Sequence, residues 1–419
     1  MSSKDGKMKR LLVPRLRFPE FREAGEWQSP FLGDISEPVE ERVGDQQLTP
    51  ISISAGIGFV PQYQKFGRDI SGNQYRLYTV VRDGDFVYNK GNSIRYPQGC
   101  VYDLQGWGKV AAPNVFICFR MKDGFENSFF RQCFEKNAHG IQLRKHITSG
   151  ARSNGLLNIS KEDFYAIRIP VPEHAEQQKI ADCLSSLDER ITLEAQKLEA
   201  LKLHKKGLMQ QLFPREGETL PRLRFPEFRE AGKWNSRTIG ETCETFSGGT
   251  PSTSNKKFYG GTIPFIRSAE LGESKTALFL TEEGLSSSSA KIVRKDDVLI
   301  ALYGANSGEV SLCKLNGAIN QAILCIRHEN NNAFLYQYLT HKKHWIISAY
   351  IQGGQGNLSG EIVKSLRFNY PDPNEQQKIA DCLSSLDERI TMEAQKLEAL
   401  KRHKKGLMQQ LFPVLDDGD

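Results

Sequence analysis

Several Gly- and Ser-rich stretches of the chain concentrate Asn, Gln, Arg and Lys side chains, which can bind nucleic acids. The stretches are GRDISGNQYR at 67–76, YNKGNSIR at 88–95, HITSGARSN at 146–154, SGGTPSTSNKKFYGG at 247–261 and IQGGQGN at 351–357. Asn and Gln amides pair bidentately with adenine, whereas Arg and Lys bind guanine or phosphate. This composition predicts loops that contact double-stranded DNA, with an ordinary solvated loop as the alternative for any single residue.

The candidate DNA contacts are polar and basic residues of these stretches and a few neighbours. In the first half of the chain they are Lys65, Arg68, Asn73, Arg76, Asn89, Lys90, Asn92, Arg95, Arg152 and Asn154. In the second half they are Thr250, Ser252, Lys256, Lys257, Tyr259, Arg267, Ser268, Asn306, Gln352, Gln355 and Asn357. These side chains could bind both base edges and phosphates.

The sequence contains no motif that would support catalysis. An NPPY- or DPPY-like methylation signature, a GxxxxGK[ST] loop for ATP and an HExxH metal motif are all missing. PDPNEQQK at 371–378 has the wrong spacing for a PD…ExK nuclease, and GGTPS at 248–252 is only weak support for a phosphate cradle. The eight cysteines form no CxxC pair, which favours reduced, mostly buried thiols over a zinc site. We therefore expect a binding protein without catalytic residues, metal or cofactor of its own.

Length, charge and hydropathy indicate a globular protein of two to four domains. The chain has 419 residues and a formal net charge of +6, which permits a polyanionic partner without requiring one. It contains no run of 18 apolar residues, and its first residues lack the apolar segment of a secretory signal. We expect no membrane association and a cytoplasmic location.

Two repeats divide the chain into halves. Residues 176–214 recur at 375–413 with two differences, Leu193/Met392 and Leu203/Arg402. PRLRFPEFREAGEW at 14–27 recurs at 221–234 with one difference. Each half therefore consists of a short Pro- and Arg-rich arm, a variable domain and a long amphipathic segment.

The repeats predict the domain boundaries. We expect an arm at 1–27, a first variable domain at 28–172, a helix at 173–214, a linker with the second arm at 215–234, a second variable domain at 235–373, a helix at 374–413 and a tail at 414–419. Both variable domains are predicted to be mixed α/β with many short strands, as diverged copies of one fold.

The long repeat has the heptad pattern of a coiled coil, with Glu194 and Lys205 as polar interruptions. A helix lying on its own domain is the alternative. In an antiparallel pair, residue n of the first copy would face residue 598−n of the second, so that opposite charges meet at both interruptions. This register pairs Glu194 with Lys404, Lys205 with Glu393, Leu187 with Leu411, Ile191 with Leu407 and Leu198 with Leu400. Such helices would hold the two variable domains apart, in a pseudo-two-fold arrangement suited to duplex DNA.

Taken together, these motifs resemble the specificity (S) subunit of type I restriction–modification enzymes. The matching pieces are PRLRFPEF…W, IPVP…EQQKIADCLSSLDERI, KKGLMQQLF and GGTPSTSNKKFYGGTIPFI. The resemblance implies an α/β fold with two target recognition domains, each recognising one half of a split DNA sequence, separated by an antiparallel coiled coil that sets the spacer.

The resemblance also implies partners in a prokaryotic cytoplasm. Two methyltransferase subunits would dock on the S subunit, and two restriction (translocase) subunits are optional further partners. S-adenosylmethionine, ATP and Mg²⁺ would bind to those partners. The alternatives are an S-type subunit of a restriction–modification enzyme outside type I, a coiled-coil scaffold without DNA, and a self-sufficient nuclease.

Overall fold

The computed structural model describes residues 11–91, 96–147, 157–350 and 357–414, apart from the side chain of Ala138. It divides into two compact units, which we call the first unit (Met1–Glu194 with Lys396–Asp419) and the second unit (Ala195–Gln395). Each unit contains one variable domain and part of both long helices. The two units are therefore assembled from the same kinds of segment.

The first unit is a mixed α/β domain of short elements. Its strands are β1 (Ser36–Pro38), β2 (Ile51–Ser54), β3 (Gly58–Pro61), β4 (Thr79–Arg82), β5 (Phe86–Asn89), β6 (Cys100–Asp103), β7 (Lys109–Ala112) and β8 (Ile117–Met121). Its helices are α1 (Leu32–Ile35), α2 (Gln62–Phe66), α3 (Asn127–Glu135), α4 (Ala138–Arg144), α5 (Lys161–Tyr165) and the start of α6 (His174–Leu212). An antiparallel sheet has the order β1-β8-β5-β6, and β2–β3 and β4–β7 form two antiparallel pairs.

Aromatic side chains fill the core of the first unit. Phe86 of β5 stacks on Phe119 of β8 at a ring distance of 5.4 Å, and Tyr88 stacks on Phe164 of α5 at 4.4 Å. The alternation of β5 places Phe86 and Tyr88 on the same face of the sheet, toward the helices. Trp27 of the arm belongs to the same buried cluster. Buried aromatic rings contribute large apolar areas, so this cluster is a main source of the unit's stability.

The second unit has a larger set of strands. They are β9 (Asn235–Thr238), β10 (Cys243–Ser247), β11 (Tyr259–Ile266), β12 (Leu278–Leu280), β13 (Lys291–Val293), β14 (Val298–Ala301), β15 (Val310–Leu312), β16 (Gly317–Ile319), β17 (Ile323–His328) and β18 (Arg367–Tyr370). The helices are α7 (Ile239–Thr242), α8 (Glu282–Ser286), α9 (Asn332–Tyr350), α10 (Gly360–Ser365) and the start of α11 (Pro373–Leu411). The sheets have the orders β10-β17-β14-β15, β12-β11-β16-β13 and β18-β9.

The two domains repeat one sheet motif despite their divergent sequences. In the first, Arg120 of β8 pairs with Asp85, which immediately precedes β5, at 2.6 Å. In the second, Arg327 of β17 pairs with Asp297, which immediately precedes β14, at 2.9 Å. The strands that carry these pairs are antiparallel neighbours in both domains. This shared pair of strands, with its Arg–Asp ion pair, supports the expected common fold of the two variable domains.

Both long repeats are helical, as predicted. α6 and α11 each contain 39 residues, which corresponds to roughly 58 Å at 1.5 Å per residue. Glu176 and Glu375 lie in the first turns, where acidic side chains suit the helix dipole. The helices continue through Gly207 and Gly406 without a break, although a glycine there predicts fraying or a bend.

The arms are anchored to these helices by backbone and side-chain bonds. In the first unit, the Leu16 N–H donates to the Gln410 carbonyl at 3.0 Å, and Arg17 forms a buried bidentate ion pair with Glu176 at 2.6 and 2.8 Å. The described part of the arm contains no α-helix or strand, and PEF forms a short 3-10 turn at Pro19–Phe21. The second arm repeats these contacts with Leu223–Gln211, Arg224–Glu375 and a turn at Pro226–Phe228.

Within each unit, α6 and α11 run antiparallel. In the first unit, Asp188 of α6 pairs with Lys404 of α11 at 2.7 Å, and Glu194 pairs with Lys396. In the second unit, the equivalent pairs are Lys205–Asp387 at 2.6 Å and Lys197–Glu393. The antiparallel coiled coil is therefore confirmed in direction.

The predicted register is wrong by about one heptad. Glu194 does not pair with Lys404, nor Lys205 with Glu393, because each buried lysine binds an aspartate of the facing helix instead. The register of these ion pairs places Leu187 and Ile191 opposite positions of α11 about seven residues before the predicted partners Leu411 and Leu407. Leu198 and Leu400 belong to different units.

The variable domains supply the physical reason for this register. Gln132 of α3 donates to Asp188 at 2.8 Å, and Glu135 pairs with Lys404 at 2.6 Å. In the second unit, Gln337 of α9 donates to Asp387 at 2.7 Å. A register chosen from the two helices alone lacks these bonds.

Candidate nucleic-acid interface

Lys65 and Asn89 come together beside the β2–β3 pair. The Lys65 amine donates to Ser52 Oγ at 3.0 Å and to the Ile53 carbonyl at 2.8 Å. The Asn89 amide donates to the same Ile53 carbonyl at 3.3 Å. Burial lowers the pKa of Lys65 from its ordinary value. These bonds give both predicted DNA contacts a structural task in holding α2 and β5 against the pair.

The connection after α2 exposes several of the predicted residues. Arg68 and Asn73 are exposed, and Arg76 forms an exposed ion pair with Asp45. An exposed pair of this kind contributes little to stability, so it can exchange for a phosphate contact. In the described part of the first domain, this connection therefore exposes the predicted DNA-contacting side chains most fully.

Lys90 holds a neighbouring segment in place. Its amine donates to the Ile159 carbonyl at 3.2 Å, and its own carbonyl accepts the Leu157 N–H at 2.9 Å. The side chain is half-buried. Lys90 is therefore engaged with its own domain in this structure.

In the second unit, the loop between β10 and β11 is tied to its surroundings at both ends. Thr250 Oγ1 donates to Gln321 Oε1 at 2.6 Å, and the Tyr259 hydroxyl donates to the Pro251 carbonyl at 2.7 Å. The structure thus brings Thr250 and Tyr259 of the predicted set into one defined loop. A rigid loop presents its polar atoms at fixed positions, which suits recognition of a nucleic acid.

The tip of this loop carries exposed basic and hydroxyl groups. Ser252 Oγ lies 2.8 Å from Ser254 Oγ, and Asn255 Oδ1 accepts the Lys257 N–H at 3.2 Å. Lys256 and Lys257 occupy a short 3-10 turn that follows Asn255. The two lysines make no ion pair with any residue that the structure describes, so they are the freest predicted phosphate contacts of the second domain.

Arg267, Ser268 and Asn306 also come together. Arg267 pairs with Glu270 at 3.0 Å, and this hydrogen bond raises the pKa of the guanidinium. The Asn306 amide donates to the Ser268 carbonyl at 3.1 Å. These bonds link the end of β11 to the turn after β14, so the three residues form a structured corner of the domain.

Six of the predicted contacts belong to segments that the structure does not describe. Asn92, Arg95, Arg152, Asn154, Gln352 and Gln355 lie outside the described residues. Asn357 is exposed at the start of the described segment that leads to α10. The remaining contacts stay predictions, and no base or phosphate partner is assigned to any of them.

The glycines of GGTPS have a packing role. A Cβ atom on Gly248 would overlap the carbonyl of Ile319, and one on Gly249 would overlap the Ser289 side chain. The two glycines are thus required by close approach of neighbouring backbone and side chains. A phosphate cradle is not needed to explain them.

The structure adds residues that sequence reasoning missed. α2 exposes the aromatic rings of Tyr63 and Phe66 beside Lys65, and aromatic rings can stack on bases. In the second unit, exposed cations gather at the turn before β14 and after β15. They are Arg294, Lys295 and Lys314, and the hydrogen bond from the Asp296 N–H to the Cys313 carbonyl at 2.8 Å joins the two segments. Arg294 and Lys295 are adjacent in the sequence, so this pair of cations could have been noticed there. Lys314 lies near them only in the folded chain.

The described residues contain no group of three or more His, Cys, Asp or Glu side chains arranged to hold a metal ion. Across the same part of the chain, no helix combines the length and the apolar character that a bilayer crossing requires.

Comparison with known sequences identifies the class to which this architecture belongs. Residues 56–203 and 231–402 match the family described as the type I restriction modification DNA specificity domain. The matches cover most of the chain and include the second variable domain, most of the first and most of both long helices. The chain belongs to this family.

Individual relatives support the same assignment. The chain is 30% identical over 193 residues to the type I restriction enzyme MjaIX specificity subunit of Methanocaldococcus jannaschii, which covers 42% of this chain and 44% of the relative. It is 27% identical over 242 residues to the EcoR124I/EcoR124II specificity subunit of Escherichia coli, which covers 55% and 57%, respectively. The chain thus spans about half the length of these curated relatives.

A solved structure shares the fold. The S subunit of a type I restriction-modification system from M. genitalium superposes with a TM-score of 0.63 at 15% identity, over 96% of this chain and 100% of that one. At this low identity the likeness concerns the fold, which agrees with the predicted α/β domains and long helices.

Proposed function

We propose that this protein is the DNA sequence-specificity subunit of a type I restriction–modification system. Each variable domain recognises one half of a bipartite target, and the coiled coil of α6 and α11 sets the gap between the halves. The chain itself performs no catalysis. Its role is direct recognition of bases and the positioning of partner subunits on DNA.

The observation that carries this proposal is the doubled arrangement. Each unit combines an arm, a variable domain and an antiparallel helix pair, and the family match occurs once in each half. The helix pairs are joined by equivalent ion pairs in both units, whereas the loops of the variable domains differ. Constant helices with different loops are what two identical partners and two unlike half-sites require.

The proposed partners follow from this division of labour. Two methyltransferase subunits would dock on the repeated arms and helices, and restriction subunits would complete a nuclease. S-adenosylmethionine, ATP and Mg²⁺ would bind to those subunits, which would flip and methylate an adenine in each half-site.

The test is to map methylated adenines in a bacterial genome that expresses this chain with its methyltransferase subunit. We expect one motif with two fixed half-sites and a gap of constant length. Replacing only the second variable domain, 235–373, by that of another family member should change one half-site and leave the other unchanged. A continuous motif, or a change in both half-sites, would contradict the proposal.

The spacer role has a separate test. Inserting one heptad at equivalent positions of α6 and α11 lengthens each helix by about 10 Å. The bases of both half-sites should stay the same while the gap grows by about three base pairs, at about 3.4 Å of rise each. Altered bases with an unchanged gap would show that the helices are not the spacer.

A further inference from the structure

A cavity of about 310 Å³ in the second unit is lined by none of the predicted DNA-contact residues. The second arm, the β17–α9 turn and the N-terminus of α11 form its walls. Its lining includes Lys233, Trp234, His328, Asp372 and Gln376. A volume in this range suits a small ligand.

Beside this cavity, the two units differ in the hydrogen-bond partner of one equivalent glutamine. In the first unit, Gln177 Oε1 accepts the N–H of Glu126, the residue before α3, at 3.0 Å. In the second unit, the equivalent Gln376 still donates to the Pro371 carbonyl at 3.0 Å. Its Oε1, however, has no partner among the described residues, although Gln376 is only 2% exposed.

His328 takes the backbone donors that would otherwise be available to this glutamine. Its Nδ1 accepts the N–H groups of Asn330 at 3.1 Å and Asn331 at 3.0 Å. Because an accepting ring nitrogen carries no proton, the neutral ring is protonated on Nε2. The ring is held by stacking on Tyr370 at 5.2 Å. The corresponding position in the first unit, after Arg120, is Met121, which cannot make these bonds.

The buried polar groups of the cavity therefore point to a ligand with both acceptors and a donor. His328 Nε2 and Trp234 Nε1 are N–H donors without partners in the described part of the chain, and both residues are more than nine-tenths buried. Gln376 Oε1 is an acceptor in the same situation. A hydrogen phosphate group offers acceptor oxygens for the two donors and a P–OH proton for the glutamine.

Most of the charged groups around the cavity are already paired or hydrogen-bonded. Arg237 is paired with Glu329 at 3.0 Å, and Asp372 Oδ1 accepts the Asn374 N–H at 2.9 Å at the start of α11. Lys233 remains without an ion pair among the described residues. Asp372 already caps the N-terminus of α11, so Lys233 is the group beside the cavity that favours an anion.

Lys233 is also the single difference between the two arms, since the first arm carries Glu26 at the equivalent position. The second arm thus differs from the first only where it borders this cavity. We propose that the cavity binds a hydrogen phosphate group, either as inorganic phosphate or as the phosphate monoester of a small molecule.

Calorimetric titration of the full chain at about pH 6, where phosphate monoesters retain a proton on a fraction of molecules, tests the proposal. Inorganic phosphate and a nucleoside monophosphate should bind, and the tighter of the two identifies the source of the group. Sulfate, which has no proton for Gln376, should bind at least tenfold more weakly, because a buried acceptor would stay unpaired.

Two variants copy the first unit and should therefore fold. His328→Met should abolish phosphate binding, and Lys233→Glu should weaken it several-fold, whereas Glu26→Lys in the first arm should leave it unchanged. Equal binding by wild type and H328M, equal affinity for sulfate and phosphate, or no binding at millimolar phosphate would overturn the proposal. Displacement of phosphate by a DNA duplex without terminal phosphates would assign the cavity to the DNA backbone and would likewise overturn it.

Discussion

Lys205 and Lys404 occupy equivalent positions of the repeated helices and are buried in their units. Each binds an aspartate of the facing helix, Asp387 or Asp188, at 2.6–2.7 Å. A glutamine of the variable domain completes each group. Burying a lysine is costly unless it is paired and hydrogen-bonded, so these groups help to fix the register of the helices.

Removing the aspartate should destabilise the unit in which the buried lysine lies. Asp387→Ala leaves Lys205 buried without its charge partner, and we expect a loss of about 2 kcal/mol in the free energy of unfolding of the second unit. Urea denaturation measures it. Lys202→Met, which removes an exposed pair with Glu199, is the matched control and should change stability by less than about 0.5 kcal/mol. Equal effects of the two variants would contradict a structural role for the buried group.

Glu270 makes stability depend on pH in the acidic range. Burial by itself raises the pKa of this carboxyl, but hydrogen bonds from Arg267 and from the Ala277 N–H outweigh it and lower the pKa to about 2. The folded pKa lies below the ordinary value of 4.5, so the carboxylate stabilises the fold above that value.

We therefore expect the advantage of wild type over Glu270→Gln to be full above about pH 4.5 and to shrink as the pH falls toward about 2. Unfolding free energies measured across this range test the sign. An advantage that grows on acidification would show that the carboxyl is not held by Arg267 in the folded state.

At the scale of elements, α6 and α11 illustrate how tertiary packing overrides local propensity. Gly207 and Gly406 interrupt otherwise strong helical sequences, yet both helices continue past them to Leu212 and Leu411. The space next to a Cβ at either glycine is open. Packing of the following apolar residues, such as Met209 and Met408, holds the last turns in place.

Gly207→Ala should stabilise the protein, because it reduces the freedom of the unfolded chain and no atom obstructs the added methyl group. The expected gain is about 1 kcal/mol for each helix, so Gly406→Ala should have a similar effect. Gly248→Ala is the contrasting variant and should destabilise, since its Cβ would overlap the Ile319 carbonyl. Thermal denaturation distinguishes the three variants, and a loss of stability in G207A would contradict the open helix face.

At the scale of the whole molecule, the C-terminal end of one long helix packs into the core of each unit. The end of α11 belongs to the first unit, and the end of α6 belongs to the second. In the first unit, Phe412 packs on Trp27 at 6.2 Å, and Lys136 donates to the Phe412 carbonyl at 2.8 Å. In the second unit, Phe213 stacks on Tyr338 at 4.6 Å. Equivalent phenylalanines thus serve different units.

This arrangement predicts reciprocal effects of two equivalent substitutions. Phe412→Ala should loosen the first unit and Phe213→Ala the second, each by about 3–5 kcal/mol, because both rings are almost fully buried. Hydrogen exchange should show faster exchange of α3 amides in F412A and of α9 amides in F213A. Faster exchange of the same helix in both variants would contradict the division into two units.

The sequence was most informative where a pattern is local or repeated. The heptads predicted two long helices, and the repeats predicted two α/β domains of common fold; both expectations are met. The register failed because the bonds from Gln132 and Glu135 to the helices are not visible in the helical sequences. The 19-residue α9 was not predicted, because its apolar residues surround much of the helix and leave no simple stripe.

The sequence by itself determined the doubled architecture, the two long helices and the polar character of the candidate loops, because repeats and heptads are properties of the chain alone. Only the tertiary structure decided which of the predicted DNA-contacting cations are bonded to their own domain, because Lys65 and Lys90 bond to backbone carbonyls that lie far from them in sequence. It also decided the helix register and the cavity beside His328. These depend on which buried polar groups find partners in space, and that cannot be deduced from spacing along the chain.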